Sequence, residues 1–395
     1  MLRRNVPMTV FLFLIMTLHA TTLGCLQWPH GYLSRELAAH PLFYKFIFYL
    51  TALFVSVMHQ PISRKIGLKM ELAGGVLSSA AGMLLFVVHA KIYAAAWIMI
   101  LSMILLGIAM LSVVNCLLTY VILVFTNKTL LGIIMLFAFG NAGLMLAPML
   151  LRFGGYLHLT TELIFFIISL LLMYGAGILI LFDEPSYSQD PSLRAYAYLR
   201  KEMPLRFPLY MLAVAFYGLI ESTFSLWGEG LVGHTMTVLL SRIGASSFWL
   251  SMIAGQVIIF FMLKRFDSKK IYPFLSAGIL AALIWLALTH SFTDFLVGMV
   301  VGGLSCATIF PITLFFLTKE ITFYSPNDRD RYLYLIENGV SWMTAGYMFG
   351  IGLTDLVTDW LDRYSHIPFA IAIAYLAAYV GIVFYLNQTK RQEIS

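Results

Sequence analysis

The sequence predicts an all-α membrane protein in which twelve transmembrane helices form two pseudo-symmetric six-helix bundles. Only 11% of the 395 residues are charged and 61% are hydrophobic, whereas about a quarter of the residues in an ordinary soluble domain are charged. The apolar runs are long and continuous, which favours helices over the alternating pattern of a barrel. A single long polar segment divides these runs six and six.

Each apolar run can cross a bilayer, because about 20 helical residues span the hydrocarbon core and a helix satisfies its own backbone polar groups there. The predicted spans cover about residues 8–26, 42–58, 70–90, 94–124, 129–153, 160–182, 207–228, 245–263, 272–289, 293–317, 334–357 and 367–386. The predicted domains are therefore an N-terminal bundle at 1–182, a cytoplasmic linker at 183–206 and a C-terminal bundle at 207–395.

The basic residues predict the orientation, because short cytoplasmic loops are enriched in Lys and Arg. With a cytoplasmic N-terminus, nineteen of the 25 Lys and Arg residues fall on the cytoplasmic side. We therefore expect a multi-pass protein of the cell inner (plasma) membrane with both termini in the cytoplasm. This topology accounts for the net charge of +6, so no nucleic-acid partner is expected.

Two short basic loops occupy matching places in the two halves, two hundred residues apart. Their charged residues are Arg64, Lys65 and Lys69 after the second span, and Lys264, Arg265, Asp267 and Lys269 after the eighth span. Each loop is explained by topology alone, as a positive-inside signal, or by a role in gating. Their matched placement indicates an internal repeat.

Two six-helix halves with matching basic loops and a long central linker resemble the major facilitator superfamily of secondary transporters. The signature loop of that family has an acidic residue, a basic residue, a spacer, a glycine and two basic residues. Here Gly67 fits the glycine, Arg64 stands at the acidic position, and the second loop lacks the glycine. The resemblance implies that these loops pair with neighbouring helix ends and lock an inner gate.

Two further segments are similar to particular branches of the superfamily. Residues 244–271 resemble the eighth helix and following loop of the fucose permease-like branch, but Cys25 stands where that branch has an acidic residue late in the first helix. In the fifth span, Gly143, Ala147 and Pro148 partly fit a glycine and proline motif of antiporters. An ordinary small-residue packing face explains the same residues.

Polar side chains inside the spans predict the binding site, because an ionisable residue near the centre of a span costs about 2.5–3.5 kcal/mol and therefore faces a cavity or a partner. The spans that carry them are those that surround the central cavity in the superfamily. The candidate substrate- or proton-binding residues are His19, Asn115, Asn141, Tyr217, Glu221, Ser225, Gln256, Glu337 and Asn338.

Glu221 is the strongest of these candidates. Tyr217, Glu221 and Ser225 follow at four-residue steps and share one face of an ideal helix, and neighbouring glycines such as Gly218 allow the helix to bend. A carboxyl group at this depth could bind and release a proton. A protonated side chain that bonds a neighbouring helix is the alternative.

The other candidates each have two interpretations. His19 could share a proton with a carboxyl group or act as a neutral hydrogen-bonding partner. Asn115, with Ser112 and Thr119, could bind substrate hydroxyls or hold helices together. Glu337 lies near the cytoplasmic end of the eleventh span, where gating and stabilisation of the helix end are both consistent with its position.

The sequence therefore predicts a secondary active transporter that moves a small organic solute by alternating access, in proton-coupled uptake (symport) of a polar or sugar-like metabolite. The alternatives are a proton-driven drug or siderophore exporter and a non-transporting membrane sensor. Motifs of metalloproteases, serine hydrolases and P-loop ATPases do not occur, so no enzyme is expected. The three cysteines are interpreted as packing residues. No cofactor and no metal site is predicted, and the protein is expected to be a monomer.

Overall fold

A computed structural model of the protein describes residues 6–27, 40–92, 95–125, 128–181, 206–227, 238–288, 291–324, 329–358 and 367–394. The chain forms two compact units, unit 1 at Met1–Ser188 and unit 2 at Gln189–Ser395. The predicted linker lies outside the described residues except for Arg206, so its boundaries stay a prediction.

Unit 1 contains six described helices, one for each predicted span. They are α1 (Val6–Gln27), α2 (Pro41–Ile66), α3 (Leu68–Lys91), α4 (Ala96–Val124), α5 (Thr129–Tyr156) and α6 (Thr161–Leu181). Only Gly67 separates α2 from α3, and its φ of 86° lies in the region that favours glycine. This turn explains the glycine of the first basic loop.

Unit 2 contains seven described helices, because the tenth span is divided. They are α7 (Arg206–Ser222), α8 (Val238–Met262), α9 (Ser268–Leu288), α10 (Phe292–Cys306), α11 (Ile309–Tyr324), α12 (Arg329–Thr358) and α13 (Ile367–Ile394). A π-helical turn, Thr223–Trp227, continues α7. The tenth span therefore consists of α10 and α11, and α12 and α13 are the eleventh and twelfth.

Most of these segments are long and apolar enough to cross a membrane. Ten helical segments in the described part of the chain meet that criterion, and the apolar part of α8 is slightly shorter, at Ser246–Met262. The remaining span, α12, is 30 residues long but more polar, since it includes Arg329, Asp330 and Glu337. In the described part of the chain, each predicted span thus corresponds to one helix, except the tenth, which corresponds to two.

The two units repeat the same pattern of helix pairs. In unit 1, α1 packs along α5, α4 packs against both α2 and α3, and α6 packs along α3. In unit 2, α7 packs along α12, α10 packs against both α8 and α9, and α13 packs along α9. Each pair in unit 1 therefore has a counterpart six spans later, as the matching basic loops predict.

Glycines allow close helix crossings in both units. A Cβ atom at Gly143 of α5 would collide with the Thr17 carbonyl oxygen of α1, and one at Gly350 of α12 would collide with the Ala215 carbonyl oxygen of α7. The helix backbones are in direct contact at these points. The packing interpretation of Gly143 is therefore confirmed, whereas antiport stays untested.

Candidate functional site

Glu221 lies at the C-terminal end of α7, immediately before the π-helical turn. Its side chain is 6% exposed, and the Tyr347 hydroxyl of α12 donates to Glu221 Oε1 at 2.5 Å. The Tyr217 hydroxyl, one turn earlier on α7, also lies beside the carboxyl group. Gly218 brings the two helices together here, since a Cβ atom at that position would collide with the Tyr347 carbonyl oxygen.

The divided tenth span lies next to this carboxyl group. Proline has no N–H and its ring conflicts with the carbonyl group four residues earlier, so Pro311 leaves the Ala307 carbonyl without a helical partner. Gln256 Nε2 of α8 donates to that carbonyl at 3.0 Å. The Tyr217 hydroxyl donates to the neighbouring Cys306 carbonyl at 2.8 Å. Two predicted site residues therefore satisfy the backbone at the helix break.

The two tyrosines beside the Glu221 carboxyl group belong to a cluster of buried aromatic rings. The rings of Tyr217 and Tyr347 are stacked, with centroids 5.9 Å apart, and Phe310 of α11 lies 5.0 Å from Tyr347. Tyr379 of α13 lies 6.2 Å from Tyr217. Buried rings with a few hydroxyl groups are typical of small-molecule sites. We refer to Tyr217, Glu221, Phe310, Tyr347 and Tyr379 as the unit 2 site.

The remaining candidates in unit 2 have other surroundings. The Ser225 hydroxyl lies on the π-helical turn and donates to the Ser222 carbonyl at 3.4 Å. The prediction that Ser225 and Glu221 share one face assumed a regular α-helix. The π-helical turn has more residues per turn, so this assumption does not apply to Ser225. Glu337 and Asn338 are both buried in α12, and the Glu337 carbonyl accepts the Ser341 hydroxyl at 2.7 Å. Their role in binding stays a prediction.

The candidates in unit 1 are also buried. His19 Nδ1 lies 3.4 Å from the Ser79 hydroxyl of α3, and Asn115 Nδ2 donates to the Ser56 hydroxyl of α2 at 3.2 Å. Asn141 is buried in α5. These contacts join helices within the unit and agree with a packing role. A role in binding solute is not tested by them.

The structure also contains a buried ionisable pair that the sequence analysis missed. His59 Nδ1 of α2 lies 2.7 Å from Glu71 Oε1 of α3, and both side chains are shielded from solvent. His59 Nε2 and Glu71 Oε2 have no hydrogen-bond partner, and an unsatisfied buried polar atom costs about 1–3 kcal/mol. The signal for this pair was its position in the sequence. His59 lies about two turns before the short turn at Gly67, and Glu71 lies about one turn after it.

The charged residues of the first basic loop lie at the ends of α2 and α3. Arg64 and Lys65 occupy the last turn of α2, where cations stabilise a helix C-terminus. Lys69 Nζ donates to the Ile180 carbonyl at 3.2 Å, near the C-terminus of α6. The loop thus bonds a neighbouring helix end within unit 1. Gating stays a prediction.

The second basic loop has an acidic residue in addition to its cations. Lys264 Nζ lies 4.8 Å from the ring centre of Phe261, and Arg265 is exposed. Asp267 Oδ1 accepts the Lys269 backbone N–H at 3.3 Å, as an N-cap of α9 does. Partial burial raises the pKa of Asp267, but the hydrogen bonds from the Lys269 N–H and the Ser268 hydroxyl, together with the Lys319 charge, outweigh this effect, so the pKa lies below its usual value.

Together, the two repeated units define an all-α polytopic membrane protein with two six-helix bundles. By sequence, no family model and no curated protein matches the chain. By structure, the chain is similar to a variant of the fucose:proton symporter FucP of E. coli, with a TM-score of 0.72 and 12% identity over 96% of this chain and 98% of that chain.

A second FucP structure, in the outward conformation, gives a TM-score of 0.73 and 13% identity over the same shares of the two chains. The nucleoside transporter NupG gives a TM-score of 0.60 and 15% identity over 95% of this chain and 98% of that chain. The chain therefore has the major facilitator fold, which confirms the fold class that the sequence predicts.

Proposed function

We propose that this protein is a secondary active transporter that moves a small organic solute across the inner membrane by alternating access, in symport with protons. The observation that carries the proposal is the buried Glu221 carboxyl group, which faces two tyrosine hydroxyls at the end of a helix. A buried ionisable group in a transmembrane helix is a functional-site candidate. Both termini are proposed to lie in the cytoplasm, and the protein is proposed to act as a monomer.

The tyrosine hydroxyls suit a carboxyl group that changes its protonation state. A hydroxyl donates to a carboxylate and accepts from a protonated acid, so Tyr347 can keep a hydrogen bond to Glu221 in both states. The irregular backbone supports the same role, because interrupted helices line binding sites in secondary transporters. The π-helical turn Thr223–Trp227 and the break between α10 and α11 are two such interruptions.

The chemistry around Glu221 favours a polar solute with an apolar face, of which a sugar is an example. Aromatic rings offer flat apolar contacts, and the hydroxyls and the carboxyl group offer hydrogen bonds. Both similar proteins are described as carriers of such molecules, a fucose:proton symporter and a nucleoside transporter. Drug or siderophore export driven by protons would use the same carboxyl group, but the solute would leave the cell as protons enter.

The test is proton-coupled flux in liposomes that contain the purified protein. A thermal-shift screen against a metabolite library identifies a stabilising solute, and a dye trapped inside the liposomes reports proton movement when that solute is added. Glu221→Gln keeps the size of the side chain and removes its titration. We expect this variant to lose gradient-driven accumulation and to retain exchange of solute without a gradient.

Glu162→Gln is the matched control, because Glu162 is also buried in a membrane helix but pairs with the ammonium group of Lys91 at 3.4 Å. This control should accumulate solute like the unchanged protein. Normal accumulation by Glu221→Gln would make Glu221 structural and turn attention to His19 or Glu337. Binding without any flux would favour the membrane sensor, and solute movement against the proton flow would favour the exporter.

A further inference from the structure

Three side chains that can bind a metal ion meet inside unit 1. They are His59 of α2, Glu71 of α3 and Cys116 of α4, and we refer to them as the α2–α4 cluster. One nitrogen, one oxygen and one sulfur atom of these residues lie within 4.8 Å of one another, and all three residues are buried. We propose that the α2–α4 cluster binds a divalent transition-metal ion of the zinc class.

A hydrogen bond between His59 and Glu71 does not by itself satisfy this pair. The contact between His59 Nδ1 and Glu71 Oε1 uses one polar atom of each side chain. Nε2 of His59 and Oε2 of Glu71 are indeed both without a hydrogen-bond partner. A metal ion that accepts lone pairs from a neutral imidazole and a carboxylate would occupy polar atoms that this hydrogen bond leaves over.

The donor set indicates the kind of ion. Imidazole nitrogen, thiolate sulfur and carboxylate oxygen are the ligands of zinc and of the neighbouring divalent metals, whereas calcium and magnesium prefer oxygen alone. The charges also fit. A dication that displaces the thiol proton of Cys116 to solvent balances one thiolate and one carboxylate, so the buried cluster becomes neutral when the metal binds.

The distances allow coordination with a small adjustment. Zinc bonds of about 2.0–2.3 Å place the ligand atoms about 3.3–3.8 Å apart in a tetrahedral site, and the donors of the α2–α4 cluster already lie within 4.8 Å. Where a protein supplies three ligands to zinc, a further small ligand completes the tetrahedral coordination.

The ion would connect three helices at one end of unit 1. His59 lies two turns before the end of α2, Glu71 lies in the first turn of α3, and Cys116 lies about two turns before the end of α4. This is the end that carries the first basic loop. The sequence predicts no metal site because the three ligands belong to separate helices and form no short-spaced motif. The proposal does not depend on the proposed transport function.

The test uses Co²⁺ as a spectroscopic probe of the full-length protein in detergent after treatment with a chelator. We expect one Co²⁺ per protein, with the near-ultraviolet charge-transfer absorption of a cobalt–thiolate bond, and displacement of Co²⁺ by Zn²⁺. Absence of that absorption in the unchanged protein would overturn the proposal, whatever any variant does.

Variants show which residues hold the ion. Cys116→Ser should abolish the charge-transfer absorption, and His59→Gln and Glu71→Gln should each weaken Co²⁺ binding by at least about tenfold. Cys25→Ser and His89→Gln are the matched controls, because both residues are buried in the same unit, and they should bind Co²⁺ like the unchanged protein. Binding that survives in all three cluster variants, or that is lost in Cys25→Ser, would overturn the proposal.

Discussion

The two units share a pattern of helix pairs but differ in how they accommodate buried polar groups. In unit 1, buried polar side chains bond across unbroken helices, either to side chains, as in the 2.7 Å contact between His59 and Glu71, or to helical carbonyls, as Ser102 of α4 donates to Gly82 of α3 at 2.8 Å. In unit 2, they also bond the buried carbonyl groups at a helix break, because Tyr217 and Gln256 donate to the carbonyls between α10 and α11. The repeated fold therefore determines which helices are neighbours and leaves the polar chemistry to individual residues.

The difference extends to the ion pairs at the ends of the units. Arg206 Nη1 of α7 donates to Glu320 Oε1 of α11 at 3.1 Å, with side chains only 9% and 3% exposed. In unit 1, Lys91 of α3 pairs with Glu162 of α6 at 3.4 Å, and the Lys91 side chain is 49% exposed. The two pairs therefore have similar distances but differ in burial. Breaking each pair in turn tests how much burial matters.

The largest expected effect follows from breaking the buried pair. Glu320→Gln should lower the stability of the protein by about 3–5 kcal/mol, because it leaves the Arg206 charge buried without its carboxylate. Glu162→Gln should cost about 0–1 kcal/mol, because water solvates the exposed Lys91 ammonium group. Unfolding midpoints of the two variants in one detergent measure the difference. Equal losses would show that burial does not distinguish the two pairs.

An intermediate effect is expected at the helix break. Gln256→Leu should cost about 1–3 kcal/mol, since the buried Ala307 carbonyl loses its donor. In a Pro311→Ala background the same change should cost less, because residue 311 then has an N–H that can bond that carbonyl.

A double-mutant cycle on Gln256 and Pro311 measures this coupling, which we expect to be about 1 kcal/mol. The stabilities of the unchanged protein, the two single variants and the double variant supply the four corners of the cycle. If the two losses of stability were simply additive, Gln256 would not act through the helix break. The break would then not account for the difference between unit 2 and unit 1.

The smallest expected effect concerns the basic loops. In unit 2 Asp267 caps α9, whereas in unit 1 the cap residue of α3 is Gly67, without a side-chain hydrogen bond. Asp267→Ala should therefore cost about 1 kcal/mol at neutral pH.

The pH dependence of that cost follows from the lowered pKa of Asp267. A carboxyl group whose pKa is lower in the folded protein stabilises it fully above the unfolded value of about 3.9 and loses this contribution as the pH falls. The difference between the unfolding midpoints of Asp267→Ala and the unchanged protein should narrow below about pH 4. A difference that stays constant through acid pH would exclude this electrostatic part of the cap.

The sequence predicted part of the candidate site, and the physical reason why a residue was found or missed differs from one residue to the next. Glu221 was identified because a carboxyl group inside an apolar run is rare, and Gln256 for the same kind of reason. Tyr217, on the same helix as Glu221, was identified with it, but the partners on other helices were not. Tyr347 lies on another helix and is one of 21 tyrosines in the chain, so no local pattern marks it as the donor to Glu221.

His59 and Glu71 were missed for a related reason. They lie near the ends of apolar runs, where charged and polar residues are common in membrane proteins, and only the sharp turn at Gly67 shows that they face each other. Pro311 had a stronger signal, because a proline inside a transmembrane run releases a carbonyl group four residues earlier. That signal would have predicted the divided tenth span.

The sequence by itself determined the membrane class, the twelve helices and their division into two related halves. Hydrophobicity and helical length are properties of a continuous segment, and a bilayer acts on each segment separately. Only the tertiary structure decided which polar side chains meet, such as Glu221 with Tyr347 or His59 with Glu71. Those contacts join helices that are distant in the chain, and they depend on the depth and rotation of each helix, which packing between neighbours sets.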